Sequence, residues 1–147
     1  MKTLLIVSDH DREFLLQALM HVGCVIDTSS IRTPDDLGTL RPENCTYDLA
    51  VVQVFHGDPT APPKKLGADD TEGLDAIRTV VALFPRCPIL AITDSRIGGD
   101  AQLAFDAGAD WFQSTDWVDR ICVTDFLPGQ IQRAIARRRE KLAPASV

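Results

Sequence analysis

Apolar residues in this sequence never run to the roughly 18 in a row that a membrane-spanning helix needs, so no membrane partner is expected. Cysteine is sparse and scattered: Cys24, Cys45, Cys87 and Cys122 form no C-x-x-C pair, and free thiols in a cytoplasmic protein are expected ahead of zinc or disulfides. Basic residues are outnumbered, 15 against 21 acidic, and the net charge of −6 argues against general nucleic-acid binding. The first apolar run is not followed by a G-x-G-x-x-G turn. There is no phosphate loop, Ser-His-Asp order or metal-ligand cluster. No catalytic residue, metal or cofactor is therefore expected, and the chain is read as a non-enzyme. The start, MKTLLIVSDHD, turns acidic at once and carries no cleavage-site pattern, so no signal peptide is expected.

What is present is an ordinary globular composition, 45% hydrophobic and 24% charged over 147 residues, enough for one domain with its own core. That domain is placed at residues 1–142, with 143–147 as a disordered tail. The stretch Tyr47 to Gly57, YDLAVVQVFHG, organises the rest. Leu49 to Val54 is a short Val-rich run of the kind found in strands buried on both faces. Gln53 stands near its end, where such strands give way to loops and where open α/β sheets bind ligands.

Before it, Leu4 to Val7 reads as a strand, Arg12 to Val22 as a helix stopped at Gly23, and Cys24-Val25-Ile26 as a second strand. Thr33-Pro34-Asp35-Asp36 reads as the start of a short helix that ends before Pro42. After it come a long loop from Gly57 to Asp70, expected to be mobile, and a helix from Thr71 to Phe84. Pro88 to Thr93 is a fourth strand, Asp100 starts a helix that stops at Gly108, and Trp111-Phe112-Gln113 is a brief fifth strand. Pro128 to Leu142 is the last helix, with Ile131, Ala134, Ile135, Arg138 and Leu142 on one stripe. Its Arg137-Arg138-Arg139 block reads as a solvated helix end. This alternation predicts a doubly wound five-stranded parallel sheet of flavodoxin-like order, a three-layer sandwich with helices on both faces.

The segments LLIVSDHDREFLLQALMHVG, YDLAVVQV, GLDAIRTVVALFPRCPILAIT and AFDAGADWFQS, in that order and spacing, resemble bacterial response-regulator receiver domains of the CheY-like kind. The resemblance covers roughly Lys2 to Lys141. It implies a domain that accepts a phosphoryl group from a histidine kinase on an aspartate ending the third strand. An acidic pair after the first strand helps hold Mg²⁺, a hydroxyl ends the fourth strand, and a Lys follows the fifth. Carried across by position, the acidic pair is Ser8 and Asp9, the acceptor position is Gln53, the hydroxyl is Thr93 and the Lys position is Thr115. Phe112 falls at the switch aromatic. A carboxamide cannot form the acyl phosphate, and one remaining carboxylate holds Mg²⁺ weakly. The pocket is thus degenerate.

Plainer readings stand beside these roles. Gln53 is equally a polar residue hydrogen-bonded at a strand end, Asp9 a helix cap, Thr93 a strand-closing hydroxyl and Phe112 core. His10 beside Asp9 reads as a solvated loop histidine, and His21 and His56 have no identifiable partner. Two stretches are longer than the family's, Gln53 to Gly73 and Thr115 to Pro128; the apolar Trp117, Val118, Ile121 and Val123 of the second are expected to pack on the body. The expected function is a phosphorylation-independent protein-interaction and dimerisation module of bacterial signalling, of the kind found as one domain of a longer protein. Its partner would be a parent or separate signalling protein, or a second copy. The interaction face, formed by the helix before the fifth strand, that strand and the last helix, would include Ala104, Asp106, Phe112, Gln113, Arg133 and Arg137. Two alternatives remain: an acceptor relocated to Asp58, Asp69 or Asp70, and a small-ligand pocket at Ser8, Gln53 and Thr93.

Overall fold

A computed structural model describes residues 1–9, 11–34, 36–41, 46–54, 72–94, 100–115 and 123–143. Five parallel strands, β1 (Thr3–Ile6), β2 (Ile31–Arg32), β3 (Leu49–Gln53), β4 (Ile89–Asp94) and β5 (Trp111–Thr115), lie in the order β2-β1-β3-β4-β5. The α-helices among the described residues are α1 (Arg12–His21), α2 (Glu72–Leu83), α3 (Asp100–Ala107) and α4 (Val123–Leu142). All five residues of β3 are buried, as expected for a central strand covered on both sides. Alternation along β3 feeds two cores. Ala50 and Val52 face Leu74, Ile77, Val80 and Ala104 of α2 and α3. Leu49 and Val51 face Leu15, Leu19, Leu127 and Ile131 of α1 and α4. The expected three-layer flavodoxin-like sandwich is therefore present.

Three elements differ from the sequence reading. The second strand is not Cys24–Ile26: Val25 makes only an isolated bridge to Lys2, and the chain then turns through a short 3-10 segment, Thr28–Ser30, before pairing as β2 with Leu5 and Ile6. Val25 is 59% exposed, so nothing buries a longer strand there. The helix expected from Thr33 does not form among the described residues. Gly38 and Pro42 leave too short a run to repay helix nucleation, and single turns close instead, Asp36 N–H to Thr33 O at 3.0 Å and Leu40 N–H to Leu37 O at 3.1 Å. Leu37, Leu40 and Tyr47 fill the space on the core beside Phe84. The last helix starts at Val123, so Pro128 lies inside it. Most of the two long stretches, and residues 144–147, lie outside the described residues.

The amino end of the sheet is tied by a buried ion pair. Gly108, at φ 124°, ends α3 and turns the chain so that Asp110 is fully buried. Asp110 Oδ2 accepts from Ile89 N–H at 2.8 Å and from Arg138 Nε at 3.0 Å. Arg138 also donates to Pro85 O and Gly108 O, both at 3.3 Å. Lys141 Nζ lies 2.8 Å from Oδ1, an ion-pair contact not aligned as a hydrogen bond. Of the three consecutive arginines, Arg137 and Arg139 are exposed as expected. Arg138 is not a solvated helix end: it is 8% exposed and fastens α4 to α3, β4 and β5. Arg138→Met would leave buried Asp110 with the Ile89 N–H and the half-exposed Lys141 in place of the guanidinium; a loss of about 3–5 kcal/mol is expected in urea unfolding.

Beside this pair, burial pushes the Cys87 thiol up to about 12; Arg138 opposes the rise, and Asp110 and Asp48 add to it. Because the folded thiol stays neutral where the unfolded one, at 9.0, ionises, its contribution is whole below pH 9.0 and is lost towards pH 12. Cys87 is expected to resist iodoacetamide at pH 8 in the native protein and to react in urea. Peptide mass mapping reads both.

Candidate functional site: a carboxamide at the acceptor position

Gln53 ends β3 at the carboxyl edge of the sheet and is 3% exposed, so its amide must be satisfied from within the protein. Its Oε1 accepts from the Ser8 backbone N–H at 2.9 Å, and its Nε2 donates to Asp11 Oδ2 at 2.7 Å. A backbone N–H only donates and a carboxylate only accepts, so these partners fix which end of the amide is which. Ser8 Oγ donates to the same Asp11 oxygen at 3.1 Å. A closed ring of β1's end, β3's end and α1's start results.

Asp11 carries the ring, and sequence reasoning passed over it in favour of Asp9. Asp11 stands at the N-cap of α1 but makes no side-chain cap bond, and it is 1% exposed. Its carboxylate turns inward to Gln53 instead. Asp9 is exposed and does not cap the helix. The available signal was spacing. Asp11 precedes the helical stripe Phe14, Leu15, Ala18 directly, which places it where the helix meets the sheet edge.

The remaining pocket positions are less closely joined. Thr93 is 1% exposed, and alternation along β4 sets it with Ala91 on the α2–α3 side, away from the Gln53 amide. The side chain of Thr115 lies outside the described residues. Gly73 at the start of α2 presses on the same edge: a Cβ there would come within 2.7 Å of Gln53 O and nearer still to Val54 O. Only glycine lets α2 begin so close to the strand.

At the β5 edge, Phe112 is half-buried, with Phe105 edge-on at 5.7 Å. Trp111, which sequence reasoning did not single out, donates from Nε1 to Gln130 Oε1 at 2.9 Å and lies 5.6 Å beneath the Arg133 guanidinium. The i, i+3 pair Gln130 and Arg133 on α4 was the sequence cue. Asp106, Arg133 and Arg137 are exposed, whereas Ala104 and Gln113 are buried and cannot touch a partner as the fold stands.

No family model matches the chain, and no curated protein matches it. Solved structures do. A signal receiver domain of a modulated diguanylate cyclase from Desulfovibrio desulfuricans G20 is 18% identical over 95% of this chain and 97% of that one, with a TM-score of 0.63. A response regulator receiver domain protein from Clostridium thermocellum is 20% identical over 96% and 98%, at 0.62. NtrX from Brucella abortus, in complex with ADP, is 16% identical over 95% of this chain but 27% of its own, at 0.61. The strand order and these likenesses define the class: the chain has the receiver-domain fold of response regulators, the CheY-like flavodoxin fold.

That fold implies Mg²⁺ at this edge, and the residues present do not fit it. The Gln53 amide points N–H at the buried Asp11 carboxylate, where a cation would need oxygen. Asp11 is already bonded to Gln53 and Ser8, and among the described residues no three His, Cys, Asp or Glu side chains are grouped to hold a metal.

Gln53→Glu tests the ring. It replaces the donor with an oxygen facing Asp11, so two carboxylates meet unless they share a proton. The variant is expected to lose about 1–3 kcal/mol at pH 8. Because sharing raises a folded carboxyl's pKa, stability should return as the pH falls towards 5, read by chemical unfolding at each pH.

Proposed function

We propose that this chain is a phosphorylation-independent receiver-like domain, a protein-interaction module of bacterial signal transduction acting in the cytoplasm. Its fold is one of signalling receivers, and no described helix is long and apolar enough to cross a membrane. One observation carries the reading: the acceptor position holds a carboxamide bonded at both ends, to Ser8 N–H and to Asp11. Such a group offers neither nucleophilic oxygen nor metal ligand. Incubation with acetyl phosphate and Mg²⁺, followed by intact-mass spectrometry, is expected to leave the mass unchanged. A phosphoryl adduct would overturn the reading, and peptide mapping would show whether Asp58, Asp69 or Asp70 carries it.

The interaction surface in this proposal is the face of α3, β5 and α4. Exposed Asp106 on α3 and exposed Arg133 and Arg137 on α4 put opposite charges on one patch, which suits an isologous pairing of two copies. Leu103, 38% exposed, supplies apolar surface on α3. Ala104, Phe112 and Gln113 shape this face from beneath. Sedimentation is expected to show a dimer that weakens with salt and is lost in Arg133→Glu with Arg137→Glu. A monomer at every concentration, or a dimer indifferent to both reversals, would remove the face.

A further inference from the structure

At the other edge of the sheet, where the short turns of 33–40 replace a helix, a polar cavity of about 260 Å³ opens beside β2. Lys2, Arg32 and Arg41 line it, together with Ser29, Ser30 and Thr39. Asp27 is the single carboxylate among its lining residues, in a chain where acidic residues outnumber basic ones 21 to 15. Positive charge is therefore gathered here against the trend of the whole molecule.

The guanidinium groups are not used up by the fold. Among the described residues Arg32 gives one bond, Nη1 to Ile31 O at 3.1 Å, and its buried Nε has no hydrogen-bond partner there. A buried, charged N–H without an acceptor is costly, so a fold keeps one only where something else answers it. Among the described residues Arg41 bonds through Nη1 alone, to Gly38 O at 2.7 Å and Leu40 O at 2.8 Å, which holds the turn in place, and the residue is exposed. Planar N–H forks flanked by hydroxyl donors match the oxygens of a phosphate group. The volume is below the roughly 300–1,000 Å³ of drug-sized sites, which suits a small anion.

We propose that this cavity is a binding site for a small phosphate-bearing anion, held by Arg32 and Arg41 with Lys2 and the surrounding hydroxyls. The site shares no lining residue with the Gln53 ring or the dimer face. The test is a titration of the intact chain with inorganic phosphate against chloride at matched ionic strength, read by thermal midpoint and phosphorus NMR line width. Phosphate is expected to raise the midpoint and chloride to leave it. Arg32→Gln and Arg41→Gln are each expected to weaken phosphate binding about tenfold, with Arg78→Gln on α2 as the unaffected control. Arg41 is exposed, so its variant decides the matter even if Arg32→Gln fails to fold. Parallel titrations with a nucleoside monophosphate and with a phosphoserine peptide separate the sources. Tighter binding of the peptide than of the free esters would overturn the small-molecule assignment. Equal stabilisation by chloride, or full affinity in Arg41→Gln, would overturn the site itself.

Discussion

A polar side chain at the end of a strand buried on both faces must find every partner inside the protein, and that constraint governs this molecule. Gln53 meets it by bonding Ser8 N–H with one end of its amide and Asp11 with the other. An aspartate in its place would be shorter and anionic, and would face Asp11 across a gap now filled by a donor. The carboxylate of Asp11 is thus kept by Gln53, and the orientation of Gln53 is kept by Asp11. Asp11 gives up its side-chain cap on α1 to do so. A lost cap typically costs about 1 kcal/mol, and a charge-assisted hydrogen bond to a buried group returns about 1.5–3, so the exchange favours the ring.

The sheet is closed at both ends by carboxylates of different kinds. At the carboxyl edge Asp11 is answered by a neutral amide and a hydroxyl. At the amino edge Asp110 is answered by Arg138 and Lys141, and Arg138 then caps carbonyls of two further segments. The first arrangement fixes β1, β3 and α1; the second fixes β4, β5, α3 and α4. Between them the described core is built mainly of apolar side chains in two layers. The directional interactions that set register are therefore concentrated at the rims.

The core strands and three of the helices were legible because burial on both faces leaves a continuous apolar run, and a positive-φ glycine stops a helix visibly, as Gly23 and Gly108 do. What failed had weak periodicity or an ambiguous charge. β2 is two residues on an edge and has no pattern to show. Pro34 suggested a helix start, but propensity for a start cannot supply the length that nucleation requires. Arg138 fell on the inward stripe of its helix, and its charge and two arginine neighbours masked that position. Asp9 and Asp11 are both acids before the same helix, and the spacing of Asp11 to the helical stripe was a weak cue beside the familiar position of Asp9. The departure at Gln53 was plain in the sequence; the partner that makes it stable was not.

The β2 edge and the Gln53 ring share one short path. Arg32, whose side chain lines the cationic cavity, accepts the Val7 N–H on its backbone carbonyl at 2.9 Å. The next N–H in the chain, that of Ser8, is the donor to Gln53 Oε1. Two consecutive backbone donors of one segment thus face opposite ways, one to the edge strand and one to the central strand, as strand geometry requires. The Gln53 ring is thus joined, through two neighbouring backbone hydrogen bonds, to the edge strand that borders the cationic cavity.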